Sequence, residues 1–336
     1  MRFGIIGCGS IAASSFAPSL LNSRETELAA VCRRDAAGAR DFAARFGGCA
    51  AYDSAAGLLA DDAVEAVIVA TPTDTHCEYT LAAAAAGKHV LCEKPMARDR
   101  HEARRMVEAC REAGVALGVA YRRRLFPQVL EAKRRLAAGE IGPQVFTRTH
   151  YSGGGGLGSG PWQIQPGIGG ALMEMAVHRI EVLLNLAGSE PVEVCGQLDT
   201  VLHNWPVDDT DALLLRFADG AAGVHSTILT SNPRRDFAQV DGTDGRIVID
   251  GLEYGGEAIE VETASGREQV PVEPLQAPYF DQPMIEDFVS AAREGREPVC
   301  DGVTGYRVQA VADAARESSA SGARVAVEPW DPGSAP

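Results

Sequence analysis

The 336-residue chain predicts an α/β protein with a doubly wound parallel sheet in its N-terminal part and a mainly antiparallel sheet in its C-terminal part. Two observations carry this prediction. Up to about residue 120, short apolar runs alternate with alanine-rich segments of helical length, which is typical of a parallel sheet covered by helices on both faces. From Val192 to Val270, segments rich in Val, Ile and Leu recur with turn signals between them, which favours antiparallel strands.

The N-terminal region contains predicted strands and helices in alternation. The strands are the apolar runs Phe3 to Ile6, Leu28 to Cys32, Ala66 to Ala70, Val90 to Cys92 and Val115 to Val119. The helices are Ser10 to Leu21, Ala36 to Phe46, Thr75 to Ala86 and Asp99 to Glu112. Asp99 is a suitable N-cap for the last helix, with Glu102 three residues later.

The pattern changes after about residue 121. The later predicted elements are, in chain order, a helix (127–138), a strand (145–151), a helix (170–186), several strands (192–270) and two helices (282–293 and 303–318). A glycine-rich segment, 152–160, separates the first strand from the second helix, and its backbone entropy predicts a mobile loop. The polar C-terminal tail from Pro329 is expected to fray.

Composition argues against several classes of partner. A formal net charge of −15 and a pI near 4.9 disfavour nucleic acid, because that binding requires cationic patches. No apolar stretch is long enough to span a bilayer, and no export signal precedes the first strand. The eight cysteines include no CxxC pair and no zinc-like histidine spacing. We therefore expect a cytoplasmic protein with reduced thiols, no membrane partner and no metal site.

The segment Gly7-Cys8-Gly9-Ser10-Ile11-Ala12 follows the first predicted strand and opens the first predicted helix. Gly7 suits a tight turn, Gly9 lets a diphosphate approach the backbone, and Ala12 replaces the third glycine of the dinucleotide-binding fingerprint. Backbone N–H groups at the helix start, from Ser10 and Ile11 onward, then face phosphate. The segment thus predicts a Rossmann domain that binds a dinucleotide.

The second predicted strand runs into Arg33 and Arg34, with Asp35 following. An acid at this position bonds the ribose hydroxyls of NAD, whereas a guanidinium group suits the additional 2′-phosphate of NADP. The arginines therefore favour NADP(H) over NAD(H). In the alternative interpretation, both arginines lie on a solvated surface and Asp35 reaches back to the ribose.

Two further motifs end predicted strands at the same edge of the sheet. Thr71-Pro72, with His76 four residues later, is either a structural turn or a direct contact to the cofactor. Glu93-Lys94-Pro95 ends the strand Val90 to Cys92. Ligands bind outside the carboxyl ends of strands in such sheets, so we expect Glu93 and Lys94 to face the cofactor and substrate.

Together with Gly169-Gly170-Ala171-Leu172-Met173-Glu174-Met175-Ala176-Val177-His178, these motifs resemble the glucose-fructose oxidoreductase, inositol dehydrogenase and rhizopine-catabolism protein family. The resemblance implies a Rossmann domain over 1–121 and an α/β domain with a large open sheet over 122–336, whose last helix can pack back on the first domain. It also implies an active site between the domains and a homodimer or homotetramer formed through the C-terminal sheet.

Carried over by the resemblance, the catalytic residues are Lys94, His178 and Glu174, where Glu174 replaces the aspartate usual in the family. The chemistry suits these residue types. Moving a hydride to or from a carbinol carbon requires proton exchange at its oxygen, for which a histidine is suited near neutral pH. Lys94 would stabilise negative charge on that oxygen. Glu174, four residues before His178, would orient the histidine or hold a neighbouring hydroxyl.

Other candidate substrate contacts lie in two segments. Tyr121 and Arg123 lie where the first domain ends and the second begins, and the arginines there serve equally well as surface or linking residues. Trp162 and Gln165, with Gln163 between them, follow the glycine-rich segment and would line a sugar pocket that the loop covers as a lid.

The resemblance implies an NAD(P)-dependent oxidoreductase that transfers a hydride between nicotinamide and a hydroxyl or ketone carbon of a small-molecule polyol or keto-sugar, such as a sugar or cyclitol. Two alternatives remain open. One is an NAD(P)-dependent glycosidase of the same fold, which uses its nicotinamide transiently. The other is a non-catalytic nucleotide-binding sensor, against which the presence of both Lys94 and His178 argues.

Overall fold

The computed structural model describes residues 1–154, 157, 160–252 and 256–333, and the chain divides into two units. Unit 1 comprises Met1–Arg122 and Gln276–Tyr306, and unit 2 comprises Arg123–Leu275 and the segment from Arg307 onward. By sequence, residues 276–306 were predicted to lie in the second domain. In the structure this segment belongs to unit 1, because the Val119 N–H donates to the Cys300 carbonyl at 2.8 Å and the segment packs against the N-terminal core.

The strands and helices of the described residues are numbered in chain order. The strands are β1 (Arg2–Ile6), β2 (Glu27–Cys32), β3 (Ala50–Tyr52), β4 (Ala66–Val69), β5 (His89–Cys92), β6 (Leu117–Val119), β7 (Gln144–Ser152), β8 (Pro191–Asp199), β9 (Thr210–Phe217), β10 (Ala222–Ile228), β11 (Arg235–Gly242), β12 (Gly245–Asp250), β13 (Ala258–Thr263), β14 (Gly266–Pro271) and β15 (Val325–Ala326). The α-helices are α1 (Ala17–Asn22), α2 (Ala36–Arg45), α3 (Ala55–Leu59), α4 (His76–Ala85), α5 (Arg100–Glu112), α6 (Pro127–Ala137), α7 (Val177–Ala187), α8 (Gln282–Glu294) and α9 (Gly302–Ser321). No helix in this part of the chain is long and apolar enough to cross a bilayer.

Unit 1 contains a parallel sheet with strand order β3-β2-β1-β4-β5-β6. Every residue of β4 is buried, as expected for a strand covered by helices on both faces. The order reverses between β1 and β4, and this switch point is where doubly wound sheets bind ligands. The predicted fold class is confirmed. Strand β3 was not predicted, because its three residues are too few to produce a periodic pattern.

Unit 2 contains the larger sheet, with strand order β14-β13-β12-β11-β7-β10-β9-β8-β15. Neighbouring strands are antiparallel except for the parallel pair β7 and β10, so the prediction of a mainly antiparallel sheet is confirmed. Helix α7 packs across β7, β10 and β11. In β9, buried and exposed residues alternate, which is typical of a sheet with one covered face.

Two of the predicted helices begin with a π-helical turn. One spans Ala12–Phe16 and precedes α1, and the other spans Leu172–Ala176 and precedes α7. Such turns occur frequently at functional sites. The first of these turns begins at Ala12, the last residue of the glycine-rich motif, and the second lies within the segment that carries Glu174 and His178.

Candidate active site

The glycine-rich turn after β1 has the geometry that its sequence predicts. Gly7 has a φ of +96°, and a Cβ at this position would lie 2.6 Å from the Ala70 carbonyl oxygen, so no other residue type fits without rearrangement. A Cβ at Gly9 would meet no described atom within 4 Å. The backbone at Gly9, just before the helix that starts at Ser10, is therefore open to the close approach of a diphosphate. This cradle fits a dinucleotide.

Arg33, Arg34 and Asp35 border the same turn. All three side chains are exposed, and the charges of Arg33 and Asp35 act in opposite directions on the pKa of the Cys8 thiol, which burial raises. Asp35 accepts a hydrogen bond from the Ala37 N–H at 3.1 Å and thereby caps α2. A Cβ at Gly38 would lie 2.7 Å from Asp35 Oδ2 and 3.1 Å from Arg33 Nη1, so this glycine leaves room for both side chains.

Thr71 and Pro72 lie at the carboxyl end of β4, and His76 connects them to the next motif. The Thr75 hydroxyl donates to Thr71 Oγ1 at 2.7 Å and makes no bond that caps α4. His76 is buried, with Nε2 2.8 Å from the Thr71 carbonyl oxygen and Nδ1 2.8 Å from that of Pro95. These carbonyls favour a protonated ring, but burial is the larger effect and lowers the pKa of His76. His76 therefore holds these two loops together.

Glu93, Lys94 and Pro95 follow β5 directly. The Lys94–Pro95 peptide bond is cis, and the Lys94 N–H donates to Glu93 Oε2 at 2.6 Å. Burial raises the pKa of the Glu93 carboxyl to about 7, while the positive charge of Lys94 opposes this shift. Lys94 is half-buried at the carboxyl edge of the sheet, in the same unit as the glycine-rich turn.

In unit 2, the helical segment that carries Glu174 and His178 is held at its start by Asp208. The Leu172 N–H donates to Asp208 Oδ2 at 2.7 Å, and the Ala171 N–H donates to the Asp208 carbonyl at 2.9 Å. Gly170 has a φ of +95°, and a Cβ there would lie 2.2 Å from Asp208 Oδ1. Asp208 was not among the predicted site residues, because the Leu172 N–H that it accepts from lies 36 positions away and no sequence pattern links the two residues.

Glu174 is buried in the π-helical turn, and Gln163 Nε2 donates to its Oε2 at 3.3 Å. Gln163 Oε1 in turn accepts from the Gly160 N–H at 2.9 Å. His178 is half-buried in the first turn of α7. Glu174 and Gln163 therefore come together as a hydrogen-bonded pair, whereas the sequence analysis weighed Gln163 only as a pocket residue.

The remaining candidates occupy different environments. Tyr121 is buried in unit 1, where its carbonyl accepts from Cys300 Sγ at 3.4 Å. Arg123 is buried in unit 2, and its charge lowers the pKa of Glu181 against the larger effect of burial. Trp162 is half-buried and Gln165 is exposed. The proposed lid includes residues 155–156 and 158–159, which lie outside the described residues.

A second buried polar group, around Asp211, lies in the sheet beneath this segment. Asp211 Oδ1 accepts from the Thr227 N–H at 3.1 Å and lies 3.5 Å from His225 Nε2, while Oδ2 has no hydrogen-bond partner among the described residues. Burial, and then the charge of Asp208, raise the pKa of Asp211 well above its ordinary value. Burial lowers the pKa of His225 to about 3. The Asp211–His225 pair is therefore buried with the histidine ring in its uncharged form.

Replacing Asp211 with Asn should change the pH dependence of stability. Above pH 4 or so the unfolded chain releases the Asp211 proton, whereas the folded protein keeps it, so the free energy of unfolding falls as pH rises. Asp211→Asn removes this loss. The free energy of unfolding of the variant, relative to that of wild type, should therefore increase between about pH 5 and pH 8, by at most about 1.4 kcal/mol per pH unit. Urea denaturation at both pH values measures the difference. A difference that is constant with pH, equal to that of the exposed Asp219→Asn control, would contradict the prediction.

Among the described residues, no group of three or more His, Cys, Asp or Glu side chains is arranged to hold a metal ion.

Comparison with known proteins identifies the family. Residues 1–121 match the model described as oxidoreductase family, NAD-binding Rossmann fold (GFO/IDH/MocA), and residues 129–248 match the GFO/IDH/MocA C-terminal domain. The chain belongs to this oxidoreductase family.

Individual relatives span between 72% and 98% of the chain. The D-xylose 1-dehydrogenase (NADP(+)) 2 of Haloferax volcanii is 30% identical over 98% of this chain and 100% of its own. The scyllo-inositol 2-dehydrogenase (NAD(+)) of Bacillus subtilis is 30% identical over 72% of this chain and 71% of its own. A solved structure of levoglucosan dehydrogenase in complex with NADH and levoglucosan has a TM-score of 0.87 at 28% identity, over 97% of this chain and 99% of that one.

The prediction of an NAD(P)-dependent oxidoreductase with a Rossmann domain is therefore confirmed. The names of the relatives include both NAD and NADP, so membership of the family does not decide between the two cofactors.

Proposed function

We propose that the protein catalyses reversible oxidation of a hydroxyl group of a sugar, cyclitol or related polyol, with NADP(H) favoured over NAD(H). The observation that carries the proposal is the position of Lys94 at the carboxyl end of β5, joined through Pro95 and His76 to the Thr71 turn. The sheet edge that holds this lysine also holds the open cradle at Gly9. Relatives named for sugars and an inositol support the substrate class.

The chain's own residues account for the rest of the chemistry. Nicotinamide, when bound, supplies or accepts the hydride. His178 takes the proton from the substrate oxygen during oxidation and returns it during reduction. Lys94 bonds the same oxygen and stabilises its negative charge. Glu174, hydrogen-bonded to Gln163, orients the histidine or holds an adjacent hydroxyl.

An assay of both directions tests the proposal. Nicotinamide absorbance is followed with NADPH and NADH across a panel of ketoses and inososes, and with NADP⁺ and NAD⁺ across the matching polyols. We expect turnover with at least one substrate pair. Product formation without a net absorbance change would instead support the glycosidase, and tight nucleotide binding with no turnover of any substrate would support the sensor.

The cofactor preference rests on Arg33. Its guanidinium lies over Gly38 beside the Asp35 carboxylate, and one oxygen of that carboxylate caps α2. An acid that is engaged in capping is less available to ribose hydroxyls, and the adjacent arginine suits a phosphate. We expect Arg33→Asp to lower the NADPH-to-NADH ratio of kcat/KM by about 10- to 100-fold, since a charge-assisted hydrogen bond contributes about 1.5–3 kcal/mol.

Two variants separate this effect from a general change of charge. Arg40→Asp changes an exposed arginine on α2 and should leave the ratio unaltered. Arg34→Asp reveals whether the neighbouring arginine shares the role. An unaltered ratio in Arg33→Asp would remove Arg33 from the cofactor site.

The proposal also includes a cytoplasmic location and a homodimer or homotetramer formed through the large sheet of unit 2. The sheet offers a partly exposed face, on which Leu214 is 46% exposed. Light scattering coupled to size-exclusion chromatography measures the oligomeric state, and a monomer at assay concentrations would contradict this part of the proposal.

A further inference from the structure

A buried hydrogen-bonded group in unit 1 joins the helix that follows the glycine-rich motif to the segment before α8. It consists of Ser15 in the first π-helical turn, Arg122 after β6, and Asp281, the residue that directly precedes α8. Ser15 is only 4% exposed and Asp281 only 2%. We call these three residues the Ser15 group.

Asp281 holds the other two members of the group. One oxygen of its carboxylate accepts from the Ser15 hydroxyl, and the other accepts from Arg122 Nη1 at 3.2 Å. The same Nη1 donates to Ser15 Oγ at 3.3 Å, and the Arg122 guanidinium lies 5.8 Å from the ring centroid of Phe280. The serine oxygen therefore both donates and accepts, and the buried carboxylate has a partner of opposite charge.

Ser15 lies in the irregular part of its helix. The Ala17 N–H donates to the Ala12 carbonyl, five residues earlier, whereas in an α-helix it would donate to the Ala13 carbonyl. A serine within a helix commonly bonds the carbonyl four positions earlier or faces water. Here the hydroxyl donates instead to a carboxylate from a distant segment of the chain. The Ser15 group is therefore placed to stabilise π-helical bonding against the α-helical alternative.

The bonding pattern of this turn sets the direction of the helix start. Successive residues of an α-helix are rotated by about 100°, so a change of register by one residue rotates the start relative to the rest of the helix by that angle. The start is joined to the turn by the bond from the Ala13 N–H to the Gly9 carbonyl at 3.1 Å, and it contains the open cradle at Gly9. Backbone N–H groups bind phosphate only where they point at it. The cradle therefore depends on the π-helical turn.

We propose that Asp281 is a positioning residue for the cofactor. Through Ser15 it keeps the π-helical turn in place, and it thereby holds the backbone N–H groups of Ser10 and Ile11 in the orientation that binds the diphosphate. Asp281 lies outside the segment 1–121 that matches the Rossmann domain. The proposal depends on dinucleotide binding, which membership of the family shows, and it goes beyond the substrate and reaction proposed above.

Equilibrium binding of NADH and NADPH, followed by nicotinamide fluorescence, tests the role of Asp281. Ser15→Ala and Asp281→Ala should each raise the Kd about 10-fold or more, because losing a hydrogen bond to a charged group lowers the fraction of molecules with a binding-competent turn. Asp281→Asn keeps a hydrogen bond to Ser15 in either orientation of its amide, and its Kd should stay within about threefold of wild type. An unchanged Kd in Ser15→Ala would overturn the proposal.

A double variant shows whether Asp281 acts through Ser15. In a Ser15→Ala background, Asp281→Ala should weaken binding little further, because the effects of residues in one hydrogen-bonded group are not additive. If Asp281→Ala weakens binding by the same factor with and without the serine hydroxyl, its effect does not pass through the π-helical turn and the proposal fails.

A shortened ligand locates the effect within the cofactor. ADP-ribose keeps the diphosphate and lacks nicotinamide, and its Kd is measured by displacement of bound NADH, with ADP-ribose 2′-phosphate used in the same way against NADPH. In Ser15→Ala these ligands should lose affinity by the same factor as the dinucleotides. A loss for NADH and NADPH alone would place the effect at the nicotinamide end and contradict the assignment.

Asn22→Ala is the matched control. Asn22 ends α1, and its Nδ2 donates to Gln282 Oε1 at 2.7 Å, so this exposed pair joins the same two helical segments one residue away from Asp281. The variant breaks that contact away from the π-helical turn and should bind both cofactors as wild type does. An equal loss in Asn22→Ala and Ser15→Ala would mean that helix packing in general sets the affinity, which would overturn the proposal.

The measurements separate this proposal from the proposed function because they require no substrate. Thermal unfolding identifies any variant that fails to fold, and Ser15→Ala, the smallest change, carries the test if Asp281→Ala does not fold. If no polyol or ketone turns over, the proposed function fails while these affinities still test Asp281. If turnover occurs and the Kd of Ser15→Ala equals that of wild type, only the role of Asp281 is refuted.

Discussion

Lys94→Ala is expected to lower kcat for polyol oxidation or ketone reduction by about 10²- to 10⁴-fold. Lys94 has two properties of a catalytic lysine. It lies at the carboxyl end of β5, and its backbone is held by the Glu93 carboxylate on one side and, through Pro95, by His76 on the other. An ammonium that stabilises charge only in the transition state contributes to kcat, so kcat and kcat/KM should fall together.

The matched control for this variant is Lys88→Ala. Lys88 precedes the same strand, and its ammonium donates to the carbonyls of Asp61 and Val64, at 3.2 and 2.8 Å, instead of facing the cofactor edge. Steady-state kinetics should separate the two lysines, and nucleotide affinity measured by fluorescence titration should stay within about threefold of wild type for Lys94→Ala. Turnover close to wild type in Lys94→Ala would remove this residue from the chemistry.

Much of unit 1 could be predicted from the sequence because its signals are local. Gly7 and Gly9 lie within a few residues of the strand and helix that they join, and the structure gives Gly7 the positive φ that a tight turn requires. Asp99 was predicted as an N-cap, and its side chain accepts from the Glu102 N–H at 2.9 Å. Each of these predictions depends on residues that lie within three positions of one another or in the same turn.

The sequence could not reveal contacts between distant residues. Ser15 and Asp281 are 266 positions apart, and nothing in either segment signals the other. The membership of 276–306 in unit 1 depends on such contacts, since the cysteine that accepts from Val119 is Cys300. The π-helical turns were also missed, because five residues are too few to distinguish their periodicity from that of an α-helix.

Asp35 shows how a correct motif can leave a role undecided. In the sequence, Asp35 follows two arginines. Whether its carboxylate bonds the ribose of the cofactor depends on the direction in which that carboxylate points. In the structure one carboxylate oxygen accepts from the Ala37 N–H. Aspartate is favoured both at N-caps and beside ribose hydroxyls, and only the backbone geometry distinguishes the two roles.

Asp236→Ala is expected to lower the free energy of unfolding by about 3–5 kcal/mol, since it leaves Arg179 buried without its carboxylate partner. The Arg179 and Asp236 side chains are 0% and 4% exposed. Two bonds join them, from Nε to Oδ1 at 3.1 Å and from Nη2 to Oδ2 at 2.8 Å. The guanidinium also lies 4.3 Å from the ring centroid of Tyr151, and its Nη1 donates to the Met175 carbonyl at 3.3 Å. Arg179 thus fixes α7 and the π-helical turn before it to β7 and β11.

A surface pair between the same two strands provides the control. Arg148 of β7 and Asp241 of β11 are 3.2 Å apart, with side chains 44% and 22% exposed, so Asp241→Ala should cost less than about 1 kcal/mol. Urea denaturation measures both variants.

The double variant Arg179→Met/Asp236→Leu should recover much of the lost stability, because well-packed apolar side chains can replace a buried ion pair. Arg179 is adjacent to His178, so a double variant that regains stability but not kcat would indicate that the ion pair positions the histidine. Equal losses of unfolding free energy in Asp236→Ala and Asp241→Ala would mean that the buried ion pair stabilises the fold no more than the surface pair does.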